Sequence, residues 1–327
     1  MRAVIVKEPG GPEVLELGEI EAPVPGPFEV RVRVRAAGLN RADVLQRMGL
    51  YPPPAGTRAD ILGLEFAGKV ERLGSGATRW KLGDRVMGIA AGAAHAELVV
   101  AHERMLLAVP PKLSDAEAAA IPEAFLTAHD ALYQQAQLRA DEALLIHAVG
   151  SGVGTAALQL AHAGGSRTLG TSRTADKLAQ AAKLGLTHGI LVGRDGLFSK
   201  KVLELTAGNG AAVIADFIGG PYLGENIRAL ALRGRLVSIG LLGGSRGELD
   251  LGQLMTRRGR IFGTTLRSRP IEEKLEVTES FARTGLPLFA SGTVVPIVDR
   301  VFPAAEVRAA HERMVGNEGF GKLVLAF

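Results

Sequence analysis

Six short apolar runs begin at residues 143, 166, 189, 211, 235 and 260. They are Ala143–Ala148, Ser166–Thr171, Gly189–Val192, Ala211–Ile218, Arg235–Gly240 and Arg260–Leu266. Stretches with helical spacing fall between them: Thr155–Ala163, Ala175–Leu184, Leu197–Thr206, Tyr222–Leu232 and Leu251–Arg257. No other feature limits the possible folds so tightly. A strand that is apolar along its whole length is buried on both faces. A strand that returns after an intervening helix lies parallel to the one before it. The alternation predicts the α/β class, with a doubly wound parallel sheet and helices on both faces. Six strands suit a complete dinucleotide-binding sheet.

The flanking segments read differently. Val30, Val32 and Val34 alternate with Arg31, Arg33 and Arg35, a period of two that marks a half-buried strand. Met1–Lys7, Gly68–Leu73 and Arg85–Ile89 read as further strands, punctuated by Pro23, Pro25, Pro27 and Pro52-Pro53-Pro54. This is β-rich, barrel-like material. Ala116–Tyr133 reads as one alanine-rich helix. After Leu266 come a helix at Ile271–Thr284, a strand at Val294–Val301, a helix at Ala304–Met314 and a strand at Lys322–Phe327. This tail can complete the first sheet. The expected division is therefore 1–121 and 267–327 for the barrel domain, with 122–266 inserted as the parallel-sheet domain.

The strand Ala143–Ala148 runs into Val149-Gly150-Ser151-Gly152-Val153-Gly154-Thr155 and then a helix. Such a turn needs the dihedral freedom of glycine, and it lets a pyrophosphate approach N–H groups at a helix N-terminus. The spacing is G-x-G-x-G, with Thr155 where a last glycine would stand; an ordinary strand-to-helix turn is the other reading. At the end of the next strand an NAD site would carry an acid for the ribose hydroxyls. This chain has Ser172-Arg173, with Lys177 beyond. Two cations and hydroxyls there favour a 2′-phosphate, so NADPH is the expected cofactor. The alternative is a solvated helix start.

Several chemistries are disfavoured. Cysteine is absent, which removes thiol nucleophiles, disulfides, iron–sulfur clusters and cysteine-containing zinc sites. The seven histidines show no ligand spacing, and no metal is expected. Gly243-Gly244-Ser245-Arg246-Gly247 matches G-x-S-x-G but lies beyond its strand in a loop. Gly316–Lys322 approaches a P-loop, but Leu323 replaces the hydroxyl residue and a strand follows. The net charge is +4, with basic residues dispersed and aromatics at 5%, so nucleic acid is not an expected partner. No uncharged apolar stretch is long enough to span a membrane. A soluble cytoplasmic protein is expected.

Five segments carry a resemblance: Gly38-Leu39-Asn40-Arg41-Ala42-Asp43, Gly63-Leu64-Glu65-Phe66-Ala67-Gly68, Gly83-Asp84-Arg85-Val86, Ser151-Gly152-Val153-Gly154-Thr155 and Gly321-Lys322-Leu323-Val324-Leu325. In these the chain resembles the medium-chain dehydrogenase/reductase superfamily, in its zinc-independent quinone oxidoreductase (zeta-crystallin-like) branch. The match covers essentially the whole chain. Leu39–Arg47 with Tyr51-Pro52-Pro53-Pro54 looks most like the p53-inducible quinone oxidoreductase subgroup. The resemblance implies a GroES-like barrel with an inserted Rossmann domain and an active site between them.

In the superfamily's zinc alcohol dehydrogenases a cysteine ligand stands at the position of Asn40 and a histidine ligand at Leu64. Asn40 and Tyr51 are the implied catalytic pair, orienting a carbonyl oxygen. Thr127 and Leu241 would contact the nicotinamide side, and Ser151, Gly152 and Val153 the pyrophosphate. Ser172, Arg173 and Lys177 would take the 2′-phosphate. Phe217 and Ile218 would flank the adenine–ribose path. Leu266, Gly319 and Lys322 would close over the cofactor. Some subgroup members place a Tyr near position 193 on the adenine side; this chain has Gly193-Arg194. Gln46 and Arg267 can be read as reaching the cleft or, equally, as exposed. Asn40 can also be read as a backbone cap, and Tyr51 as simple packing in a proline-rich loop.

The implied activity is hydride transfer from NADPH to a quinone or similar enone. The alternatives are a 2-enoyl thioester reductase and, in another class, an NADPH-holding structural or RNA-binding protein. Pairing of Arg260–Leu266 with its twofold mate would give a homodimer.

Overall fold

Alternating valines build the longest strand of the computed structural model, which describes residues 1–327. The chain opens with a ribbon of β1 (Arg2–Val6) and β2 (Leu15–Glu19), paired antiparallel. Then follow β3 (Glu29–Leu39), α1 (Arg41–Arg47), β4 (Glu65–Leu73), β5 (Arg85–Ile89), β6 (Leu98–His102) and β7 (Leu106–Ala108). Val30, Val32 and Val34 of β3 pack with Phe66, Val70, Val86 and Leu106, while Arg33 and Arg35 are exposed. One face therefore makes the core and the other meets water, as the period of two requires.

The Ala116–Tyr133 stretch is not one helix. It forms α2 (Asp115–Ala119), α3 (Pro122–His129) and a π-helical turn at Asp130–Gln135. Pro122 is the cause of the first break. It lacks an N–H and clashes with the preceding turn inside a helix, but is well suited to begin one.

The repeating array follows: β8 (Ala143–Ile146), α4 (Gly152–Ala163), β9 (Arg167–Ser172), α5 (Ala175–Ala182), β10 (His188–Leu191), α6 (Ser199–Leu205), β11 (Ala211–Asp216), α7 (Leu223–Ala229), β12 (Leu230–Ser238), α8 (Leu251–Arg257) and β13 (Arg260–Gly263). The six strands form one parallel sheet in the order β10-β9-β8-β11-β12-β13. Leu145, Leu169, Ile190, Ile214 and Leu236 centre its core. Several boundaries differ from expectation by a few residues, and two of the shifts have a direct cause in the pairing. The helix expected to reach Leu232 ends at Ala229, because Leu230 adopts extended backbone and pairs with Ala211. The last strand stops at Gly263 rather than Leu266: its partner β12 ends at Ser238, which pairs with Gly263.

The chain then adds α9 (Ile271–Thr284), α10 (Leu286–Ser291), β14 (Val298–Pro303), α11 (Val307–Gly316) and β15 (Lys322–Ala326). The strand expected from Val294 starts at Val298, beyond Pro296, which has no N–H to give a ladder. β15 pairs antiparallel with β3, Leu323 opposite Leu39, and parallel with β14. The tail thus completes the first sheet, ordered β14-β15-β3-β4-β5-β7 with β6 also on β3. Two compact units result. The barrel unit is Met1–Leu126 with Leu266–Phe327, and the sheet unit is Thr127–Thr265.

Candidate active-site residues in the two units

In the sheet unit, strand order reverses between β8 and β11, and ligands of such sheets bind beyond the strand ends at that point. The turn after β8 meets that need. Ser151 caps α4, its Oγ accepting from the Gly154 N–H at 3.1 Å. A Cβ on Gly154 would lie 2.5 Å from the Ala148 carbonyl oxygen, so only glycine lets the helix start this close to the strand. The first-turn N–H groups of Gly152 and Val153 have no acceptor within the helix and are open to an anion. Ser172 ends β9, nearly buried, and its Oγ accepts from the Thr174 N–H at 3.2 Å. Arg173 is exposed and forms no ion pair; Lys177 is half-buried on the first turn of α5.

A buried polar chain ties the strand ends together. Asp216, at the end of β11, accepts from the N–H groups of Ile218 (2.7 Å) and Gly219 (3.1 Å), and from Asn226 Nδ2 (3.1 Å). Asn226 Oδ1 meets His147 Nε2 at 2.6 Å, and His147 Nδ1 meets Thr171 Oγ1 at 2.9 Å. Burial pushes the His147 pKa down, so the ring is neutral. Since Asn226 gives its amide hydrogen to Asp216, His147 must donate from Nε2 and accept at Nδ1. His147 thus ties the ends of the strands together through Thr171 and Asn226. Phe217 is buried and Ile218 half-buried. The loop after β12 bonds to both, through Leu242 N–H to Phe217 O (3.0 Å) and Gly243 N–H to Ile218 O (2.8 Å). Leu241 in that loop is exposed, and Thr127 lies half-buried in α3.

In the barrel unit, Asn40 is the N-cap residue of α1, and its N–H donates to Asp43 Oδ2 at 2.7 Å. Its side chain has further partners. Asn40 Nδ2 donates to Glu65 Oε1 at 2.9 Å, and Oδ1 accepts from Lys322 Nζ at 2.5 Å. Lys322 also donates to Leu39 O at 2.9 Å and pairs with Glu65 Oε1 at 2.5 Å. Lys322 is 5% exposed and Glu65 fully buried. An ammonium has three hydrogens, and these three partners use all of them. Lys322 therefore holds Asn40 and Glu65 in place and has no donor left for another ligand. Gly319 is packed on Asp299, 2.7 Å from where its Cβ would stand to Oδ2.

Tyr51 is half-buried in the loop after α1. Arg267 lies over its ring at 5.1 Å and donates to Tyr51 O (3.4 Å), Ala91 O (3.0 Å) and Gln46 Oε1. Gln46 in turn donates to Ala59 O at 3.0 Å. Arg267 and Gln46 thus fasten the two ends of the loop that carries Tyr51.

Beside them is a cavity of about 10 Å³, room for about one water, lined by Leu266, Arg267, Lys274, Glu123, Ile89, Ala90 and Met105. The Glu123 carboxyl is pushed up to about 8, first by burial and then by the neighbouring Glu65, whose Oε2 accepts from the Glu123 N–H at 2.8 Å. It is protonated at neutral pH. Burial lowers the pKa of both Arg267 and Lys274. Sequence reasoning missed Glu65, Glu123 and Lys274 as a group. The available signal was an acid at Ile121-Pro122-Glu123-Ala124, inside an otherwise apolar helix start.

Residues 26–111 match the alcohol dehydrogenase GroES-like domain family, and residues 152–282 match the zinc-binding dehydrogenase family. The chain is 35% identical to a quinone oxidoreductase of Pseudomonas aeruginosa over 318 residues, covering 97% of this chain and 96% of the relative. The chain belongs to the medium-chain dehydrogenase/reductase superfamily. Among solved structures, one described as an NAD-dependent alcohol dehydrogenase aligns over 100% of both chains, at 32% identity and a TM-score of 0.89. A mycobacterial protein complexed with NADPH aligns over 100% of both, at 27% and 0.88. CurK enoyl reductase aligns over 99% of this chain and 98% of its own, at 27% and 0.87.

The family description raises the question of zinc. In this medium-chain dehydrogenase/reductase no three His, Cys, Asp or Glu side chains converge to hold a metal. Leu64 is an apolar, buried side chain, and the cation between Asn40 and Glu65 is the Lys322 ammonium. The residues present do not fit zinc. They do fit a dinucleotide: a glycine-dependent helix start open to pyrophosphate, and a cation without an ion pair at the end of the next strand.

Proposed function

We propose that this chain is a metal-independent, NADPH-dependent reductase that delivers hydride to a quinone or a similar conjugated carbonyl. The observation that carries the cofactor reading is Ser172-Arg173 at the end of β9. The strand itself ends on Ser172-Arg173 without an acid, the nearest in sequence being the exposed Asp176 on the first turn of α5, and Arg173 has no ion-pair partner of its own. In this reading the N–H groups of Gly152 and Val153, with Ser151, hold the pyrophosphate. Ser172, Arg173 and Lys177 hold the 2′-phosphate, and Phe217 and Ile218 flank the adenosine. Thr127 and Leu241 lie along the nicotinamide, with Leu266 and Gly319 closing over it.

The nicotinamide supplies the hydride when bound. Asn40 has one Nδ2 hydrogen left after its bond to Glu65, and with the Tyr51 hydroxyl it orients the acceptor's carbonyl oxygen. Lys322 and Glu65 fix the Asn40 amide, while Arg267 fixes Tyr51. An electron-poor acceptor needs this orientation more than it needs a Lewis acid.

Steady-state turnover with 1,2- and 1,4-quinones, set against a crotonyl thioester, tests the reading with NADPH and NADH in parallel. Quinone reduction that prefers NADPH is expected. The likeness to CurK enoyl reductase favours a 2-enoyl thioester reductase as the second reading, and turnover of the thioester alone would establish it. The edge strand β13, with Ile261 partly exposed, is proposed to pair with its mate in a homodimer. A monomer mass by light scattering at micromolar concentration would refute that.

A further inference from the structure

The loop after β11 places an aromatic side chain that the reading above does not use. Tyr222 ends the 3₁₀ turn at Gly220–Tyr222 and packs edge-on against His147 at 4.9 Å and obliquely against Phe198 at 5.0 Å. His147 comes directly after β8, so the phenol ring packs at the end of that strand, next to which strand order reverses. Its ring is anchored, yet its hydroxyl makes no hydrogen bond. Arg173 and Asp216 lie close enough to act on it electrostatically. Asp216 is not a free acceptor, since its oxygens take the N–H groups of Ile218 and Gly219 and the Asn226 amide. A rigid donor without a partner thus stands beside a cation without a partner, at the sheet edge where the second half of a dinucleotide is read.

We propose that Tyr222 is a specificity residue, its hydroxyl donating to the cofactor's 2′-phosphate beside Arg173. The inference rests on the reading that Arg173 holds that phosphate. The phenol is a donor at neutral pH, because burial raises its pKa above the ordinary value despite the nearby Arg173. A hydrogen bond to an ionised phosphate is among the strong ones. Its ring, already fixed by His147 and Phe198, loses little freedom on binding.

The test uses 2′,5′-ADP and 5′-AMP, which differ only in the 2′-phosphate. Calorimetric titration of the full-length protein is compared with that of the variants Tyr222→Phe and Arg173→Ala. Tyr222→Phe keeps the packed ring. It is expected to weaken 2′,5′-ADP binding about tenfold while leaving 5′-AMP within about twofold. If Arg173→Ala discriminates between the two ligands and Tyr222→Phe does not, Tyr222 plays no such part and the phosphate reading stands. If neither variant discriminates, the 2′-phosphate site is misplaced and the inference falls with it. Equal weakening of both ligands by Tyr222→Phe would also overturn it, since that is the mark of a general packing role.

Discussion

Removing the ammonium of Lys322 tests how the barrel unit is held together. Lys322→Met keeps the stem's length and deletes the charge. The pair it breaks is buried on both sides, with Lys322 5% exposed and Glu65 fully buried. Glu65 would keep two donors, Asn40 Nδ2 at 2.9 Å and the Glu123 N–H at 2.8 Å, but no countercharge at hydrogen-bond distance. Stranding a buried charge in this way costs about 3–5 kcal/mol. At a urea dependence of about 2–3 kcal/mol/M, the unfolding midpoint should fall by about 1–2.5 M. The chain's one tryptophan, Trp80, lies in this unit with its Nε1 bonded to Glu103 O at 2.8 Å, so its fluorescence reports the transition. Neutralising both partners with Glu65→Gln and Lys322→Met should restore most of the loss, because no unpaired charge then remains. A single-variant cost below about 1 kcal/mol, or a double variant worse than either single one, would refute the reasoning.

Stability should also depend on pH in two opposed limbs. His129, His147 and His311 are held neutral by burial, so the unfolded chain takes up protons below the ordinary value of 6.5 and stability falls as pH drops. Glu123 keeps its proton in the fold up to about 8 and would lose it above about 4.5 when unfolded, so stability falls as pH rises through that window. Thermal midpoints should peak near pH 6.5, and Glu123→Gln should flatten the alkaline limb; an unchanged limb would count against the buried acid. Arg267→Gln should free the Tyr51 loop and lower kcat for quinone about tenfold or more, with a smaller rise in KM, and Arg267→Lys should recover only part of it. Equal thermal stability with unchanged kcat would remove Arg267 from the site. Gly154→Ala puts a Cβ 2.5 Å from the Ala148 carbonyl oxygen and should cost about 1–3 kcal/mol, with weakened NADPH binding by fluorescence titration.

Periodic features were legible in the sequence because they are local. The strand–helix alternation after Ala143 and the valine–arginine alternation of β3 each follow from a few consecutive residues. The candidate phosphate site was legible for the same reason, since Ser172 and Arg173 adjoin a strand end and Gly154 adjoins a helix start. The Asn40–Lys322 bond joins residues 282 apart and depends on β15 pairing with β3, which no short window encodes. Glu123 was hidden by an alanine-rich run that read as one helix until Pro122 divided it. Tyr222 was lost inside a helix expected to begin at that residue; the structure puts it in a 3₁₀ turn instead.

The placement of β15 bears on the order in which the chain is made. The barrel sheet lacks an inner strand until residues 322–326 have left the ribosome, because β15 lies between β14 and β3. The parallel sheet, by contrast, is complete in residues 127–265. At about 5–20 residues per second, the gap between residues 126 and 322 takes about 10–40 s to translate. During that time Ala36, Ala37, Gly38 and Leu39 of β3 present an open edge, Glu29 to Arg33 being already covered by β6. The early segment is therefore the part of the nascent chain most in need of shielding, although it is synthesised first. The inserted sheet is free to fold ahead of the unit that encloses it in sequence.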